Sequence, residues 1–450
     1  MHVLHSYIDN HQTRFLSELA ELCRRQDLAT NQHVMEETAG ILAARLERMG
    51  AKTALLAVDD APPVVYGEMG SGTRTLLIYN HYDVQPPDPL SQWDTPPFEP
   101  TIREGKLYAR GVADNKGNLM ARIHAVEAWQ EAVGELPIKI KWIMEGEEEV
   151  GSPHLAPWVQ EHRRLLEGAE GCLWEFGYKD AAGRQVINLG VKGILYVELI
   201  AHGAARDLHS SMAAIVPNPA WRLAWALNSL KDAEDHILIK GFMDRVAPPT
   251  AAAMALLQKL PFDEEAVKTD LQIPAFIRNL SGLELQTKYL YEPTCTICGL
   301  NSGYIGSGSK TVLPNRAMAK IDFRLVHNLT PQSALELLQE HLLAQGFGDI
   351  EIVAHAMNPP AQTDPAHPIV QMAETAVAKT SPQGYVIRPS SAGSGPMYLM
   401  TEYLGIPTVS FGVGHDGSNR HAPNENIFLA DYIDGIKCAG EFFSAFSETS

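Results

Sequence analysis

Five short stretches carry the side chains that could do chemistry: His81-Tyr82-Asp83, Asp114-Asn115-Lys116-Gly117, Glu145-Gly146-Glu147-Glu148-Glu149, Glu175, and the histidine of Arg420-His421-Ala422-Pro423-Asn424-Glu425. In an extended chain, residues two apart face the same side, so Asp83 can accept a hydrogen bond from the His81 ring and turn its other nitrogen toward a metal. Asp114 stands just before a helical pattern. It can cap that helix, and its two oxygens can also bridge two cations. Adjacent glutamates ending a buried strand repel one another unless a cation neutralises them, which permits one to be a ligand and its neighbour a general base. Two histidines with three carboxylates make a nitrogen and oxygen donor set suited to zinc, with positions left for water or substrate.

Strand-like runs position these groups. Residues 75–79, 138–144, 171–174 and 407–411 are apolar or β-rich and end in polar residues or glycine. Between the first two, Leu119, Ile123, Val126, Trp129 and Val133 recur at helical spacing. Alternating strands and helices predict an α/β fold, a doubly wound and mostly parallel sheet with its site at the strand carboxyl ends.

The middle of the chain predicts a different unit: strand 193–201, helix 219–230 opened by Asn218 and Pro219, strand 317–326, helix 331–344 capped by Thr330, and strand 349–354. Residues 191–364 therefore read as an inserted α+β domain, with 1–190 and 365–450 forming the catalytic domain around it. Residues 243–298 show no regular pattern.

The chain has 450 residues, 54 acidic against 36 basic, a net charge of −18 and a pI near 5.4. An acidic balance argues against a nucleic-acid partner. Residues 1–25 contain Asp9, Glu18 and Glu21 and no long apolar stretch, which predicts a cytoplasmic protein without signal peptide or membrane contact. Five cysteines in so large a chain do not suggest a disulfide framework.

Three competing motifs fail on context. Gly412-Val413-Gly414-His415-Asp416-Gly417 has dinucleotide-fingerprint spacing, but Pro423 and the lack of an amphipathic period leave no helix after it. Cys295-Thr296-Ile297-Cys298 has no second cysteine pair and reads as ordinary buried thiols. Ser394, in Ala392-Gly393-Ser394-Gly395-Pro396, lacks the glycine spacing of a nucleophile elbow.

The quoted stretches, together with Tyr108-Ala109-Arg110-Gly111, Asp207-Leu208-His209-Ser210-Ser211 and Thr311-Val312-Leu313-Pro314-Asn315-Arg316, resemble the co-catalytic dinuclear zinc peptidase family. It includes carnosine-type dipeptidases, aminoacylase, glutamate carboxypeptidase and succinyl-diaminopimelate desuccinylase, and the dipeptidase branch is most similar. The resemblance implies that Asp114 bridges two zinc ions, with cobalt or manganese as substitutes. His81 and Glu175 would complete one site, and Glu149 and His421 the other. It also implies Glu148 as general base, Asp83 as the partner orienting His81, and a cis Asp114-Asn115 peptide. In the inserted domain, a ferredoxin-like lid and homodimerisation unit, His209 would polarise the scissile carbonyl while Arg324, Thr311 and Ser394 hold a substrate carboxylate. Neither His209 nor Arg324 has an evident partner within its own domain. Glu175 stands where the dipeptidase branch usually has Asp, Asn80 replaces a common glycine, and Ala213-Ala214 replace two more.

The expected reaction is hydrolysis of an amide or peptide bond in a small peptide bearing a free carboxylate. An N-acyl amino acid deacylase or glutamate-type carboxypeptidase would use the same mechanism. A non-catalytic metal-binding protein is the alternative from another class, and the presence of Glu148 argues against it, since a binder needs no base.

Overall fold

The computed structural model describes residues 1–448, which fold into two compact units. The first comprises Met1–Gly190, Thr363–Pro389 and Leu399 onward; the second comprises Val191–Gln362 and Ser390–Tyr398. Residues 390–398, expected in the catalytic domain, group with the second unit and carry Ser394 there. Residues 363 and 364 group with the first.

A ten-stranded sheet organises the first unit. Its centre is parallel: Lys139–Glu145, Thr75–His81, Gly171–Trp174 and Thr408–Ser410 lie side by side in that order. Every residue of Thr75–His81 is buried, as befits a parallel strand covered on both faces. The flanks correct the expectation of a mostly parallel sheet, because the sheet is mixed. Lys52–Leu56 and Val64–Met69 pair antiparallel, and the latter pairs antiparallel with Lys139–Glu145. The link between those first two strands is too short for the crossover that a parallel pair requires. Helix Lys116–Ala132 packs against helices His2–Cys23 and Leu429–Ser447.

The second unit has a four-stranded antiparallel sheet, ordered Thr296–Ser302, Arg316–Leu325, Gly193–His202, Glu351–Asn358. Helices Pro219–Leu230 and Pro331–Ala344 complete a β-α-β-β-α-β chain order. Leu195, Val197, Leu199, Leu223, Phe242, Phe323 and Leu338 fill the core between sheet and helices. The strand Thr296–Ser302 is absent from the sequence reading. It is an edge strand with five of its seven residues exposed, so no inward-outward alternation marks it. The uncharacterised stretch before it holds helices Ala251–Leu257, Glu264–Leu271 and Gly282–Tyr291.

At the junction, Thr363 donates its backbone N–H to the Leu189 carbonyl at 2.8 Å. The five cysteines are all free, and Cys298, expected to be buried, is exposed. No helix among the described residues is long and apolar enough to cross a membrane.

Phe323 is fully buried and its ring lies 5.6 Å from that of Phe242. Phe323→Ala should lower the unfolding free energy of the second unit by about 3–5 kcal/mol in urea titrations. A loss below about 1 kcal/mol would mean the ring fills no essential space.

Candidate active site

The first unit brings His81, Asp83, Asp114, Glu148, Glu149, Glu175 and His421 together. His81 ends the strand Thr75–His81, and Glu175 follows the neighbouring parallel strand Gly171–Trp174. Glu148 and Glu149 lie in a single turn just beyond Lys139–Glu145, on the other side of Thr75–His81. Three adjacent parallel strands thus deliver their polar ends to one place.

Asp114 sits at the centre. Its Oδ1 lies 3.2 Å from His81 Nε2, and its Oδ2 lies 3.3 Å from His421 Nε2. His81 Nε2 is also 3.0 Å from Glu175 Oε2, and His421 Nε2 is 3.1 Å from Glu149 Oε2. Two sets result, His81-Asp114-Glu175 and Asp114-Glu149-His421, each with one donor atom per residue and all within 4.8 Å of one another. Glu148 stands in a third such group with His81 and Glu149. The Asp114-Asn115 peptide is cis, as is Asp88-Pro89.

Surrounding groups hold these side chains in place. Asp83 Oδ1 lies 3.2 Å from His81 Nδ1, which turns Nε2 toward Asp114. Asp83 also accepts the Glu148 and Glu149 backbone N–H groups at 3.2 and 2.9 Å, so one carboxylate orients a histidine and anchors the glutamate turn. The acidic run divides its labour. Glu145 is bonded to the Tyr79 hydroxyl and to Ser152, Glu147 lies 2.7 Å from His154, and only Glu148 and Glu149 join the cluster.

Two organising residues escaped the sequence reading. Glu425 is fully buried and accepts from the backbone N–H groups of Gly111, Ala113 and Asp114 at 2.7, 2.8 and 3.0 Å, with Arg110 Nη1 at 2.7 Å. It fixes the turn that presents Asp114, from a position four residues past His421. Asn80, in place of a glycine, donates to Asn115 and accepts from Arg122 Nη1 at 2.9 Å, while Asn115 donates to the Glu175 carbonyl at 3.0 Å. Glu425 had no sequence signal beyond proximity to a ligand, and Asn80 only its departure from a common glycine.

The electrostatics are those of a cation site. Burial, followed by repulsion from Glu175, holds the Glu148 carboxyl well above its ordinary range, and burial raises Glu175 as well. Burial also opposes ionisation of Asp114, but its contacts with His421 and His81 outweigh it and keep the carboxylate charged. The same contact with Asp114, then Glu149, lifts His421 to about 10. Burial would lower the His81 pKa; Glu175, Asp114 and Asp83 overcome it and drive it well above 6.5. Protonated imidazoles thus occupy places where positive charge is required. Glu149 Oε1 is buried with no hydrogen-bond partner, an acceptor without a donor. Carboxylates crowded on two imidazoles, plus an orphan acceptor, fit two divalent cations sharing Asp114.

In the second unit the expected substrate residues form two pairs. His209 is exposed, with Nδ1 2.8 Å from Ser211 Oγ and Nε2 3.4 Å from Thr311 Oγ1. Arg324 Nη1 donates to Ser394 Oγ at 3.0 Å, while Nε and Nη2 meet Asp322 at 3.2 and 3.1 Å. Both residues therefore have partners within their own unit, contrary to expectation. Arg324 keeps two of its five N–H groups for a ligand.

Among solved structures, an M20 family metallo-carboxypeptidase from Sulfolobus solfataricus shares 39% identity over 96% of this chain and 99% of its own, with a TM-score of 0.91. Human carnosine dipeptidase 1 shares 26% over 99% of each chain, with a TM-score of 0.80. The Cys-Gly metallodipeptidase of Schizosaccharomyces pombe is 26% identical over 96% of this chain and 96% of its own. The family model described as peptidase family M20/M25/M40 matches residues 77–445, and the chain belongs to that family, as a metallopeptidase acting on peptide bonds.

Proposed function

We propose that the protein is a zinc-dependent dipeptidase that cleaves small peptides with a free carboxylate. The observation that carries this reading is the sharing of Asp114 between two histidine-carboxylate sets with Glu148 beside them. His81, Asp114 and Glu175 would hold one ion, and Asp114, Glu149 and His421 the other. Two bound cations would polarise the scissile carbonyl and make a water acidic enough to attack at neutral pH. Glu148 takes the proton of the attacking water and returns it to the departing amine. Asp83 holds His81 and the Glu148 backbone in register throughout.

The second unit acts as a lid and forms a homodimer. His209 donates to the developing oxyanion, with Thr311 beside its ring, and Arg324 with Ser394 grips the substrate carboxylate. Closure completes the site and excludes water. Dimerisation is supported by apolar groups left exposed on this unit, Ile215 at 77%, Trp221 at 62% and Ile305 at 81%. Five unpaired thiols suit a cytoplasmic setting. The 39% identity with a metallo-carboxypeptidase favours one second reading, removal of a carboxyl-terminal residue from longer peptides by the same groups.

Glu148→Gln should retain the metal content of the wild type while hydrolysis of a panel of dipeptides and longer peptides falls about 100-fold or more. An active Gln variant would assign the base elsewhere. Because both imidazoles are held protonated without metal, and Glu175 and Glu148 are pushed toward their neutral forms, zinc binding at pH 7 should release at least two protons, seen by calorimetry in buffers of different ionisation enthalpy. Equal heats in all buffers would remove the two histidines from the ligand set. Sedimentation should give a dimer at working enzyme concentrations, and a fully active monomer would dismiss the dimerisation role.

A further inference from the structure

The second unit contains a cavity of about 420 Å³, large enough for a ligand, and Arg324 lines it. One wall is apolar, formed by Ile273, Phe276, Leu285 and Tyr289 from the region that showed no pattern in the sequence. The lining also carries Lys192, Lys231, Lys288 and Arg324.

The charges on and beside these cations nearly cancel. Lys231 and Lys288 share Asp235, with Lys288 Nζ at 3.0 Å from it, and Lys288 also meets Glu292 at 3.2 Å. Asp322 faces Arg324. Four cations against Asp235, Glu292 and Asp322 leave one positive charge, and it belongs to Lys192. This lysine is 2% exposed, its Nζ donates to the Glu292 carbonyl at 2.6 Å, and it makes no ion pair among the described residues. Burial, with Lys288 and Arg324 near, lowers its pKa to about 8, so most of it stays charged at neutral pH. A buried ammonium facing a cavity without a counter-ion is a place for one anionic group.

Resting on the assignment of Arg324 to the substrate carboxylate, we propose that this cavity receives the carboxyl-terminal residue. Lys192 shares its carboxylate with Arg324, and the apolar wall selects a large apolar side chain. A second carboxylate, as in a terminal Asp, finds no unmatched cation. A terminal Gly leaves the apolar wall bare.

The test compares kcat/KM of the zinc-loaded enzyme for Ala-Phe, Ala-Leu, Ala-Gly and Ala-Asp, and for their amides. Phe and Leu should exceed Gly and Asp by about tenfold or more. Ala275 is exposed at the cavity lining, where Trp can be introduced without disturbing the core. Ala275→Trp should cut the Phe-to-Gly ratio about tenfold. Lys192→Met should raise KM for free carboxylates more than for amides; if that variant fails to fold, Ala275→Trp decides. Equal use of Gly or Asp, or a ratio unmoved by Ala275→Trp, overturns the proposal. Arg324→Lys keeps charge but loses the fork, and should also penalise free carboxylates selectively. Equal losses for acids and amides in that variant would instead overturn the assignment of Arg324 itself.

Discussion

Asp114, Glu148, Glu149 and Glu175 share one largely buried site, and like charges so confined cannot all ionise unless positive charge is set among them. Without metal, two imidazoles meet that demand by staying protonated, and Glu148 and Glu175 are still pushed toward their neutral forms. The surrounding fold is arranged to keep the carboxylates close despite the repulsion. Asp83 pins the glutamate turn through two backbone N–H groups, and Glu425 pins the Asp114 turn through three. These anchors hold the main chain that carries the ligands, so the carboxylates stay close, and a bound cation relieves the repulsion that protonation relieves without it.

The parts legible in the sequence are those where periodicity and polarity change at the same residue. Thr75–His81 and Gly171–Trp174 are buried runs ending at a ligand, so both strands and the cluster at their ends could be read. Helices Pro219–Leu230 and Pro331–Ala344 match their expected bounds, since Asn218 and Thr330 cap them and proline opens each. The mixed flanks of the large sheet were not legible, because strand direction depends on connection length and pairing partner rather than on composition. Thr296–Ser302 was lost because an exposed edge strand has no periodicity to show. Glu425 was visible only as a residue near His421. Its role depends on a turn more than 300 positions away in the chain, 315 residues separating it from Arg110.

The two units use charge differently. In the first, carboxylates outnumber the groups that can neutralise them, which favours cations. In the second, Arg324 is held by Asp322 and Ser394 with two N–H groups left over, and Lys192 is left without a counter-ion, which favours an anion.

The hydrogen bond from Thr363 to Leu189 has a topological consequence. The chain leaves the first unit after Gly190 and returns to it at Thr363, so the intervening segment closes like a loop on a neck. A tight turn joining Leu189 to Thr363 would leave all five ligand positions, Asp83, Glu148 and the Glu425 anchor on one chain. Apart from residues 390–398, which pack with the second unit, the metal-binding scaffold is thus continuous without the intervening segment, and that segment is a position at which a protein engineer can exchange whole elements without cutting through the large sheet.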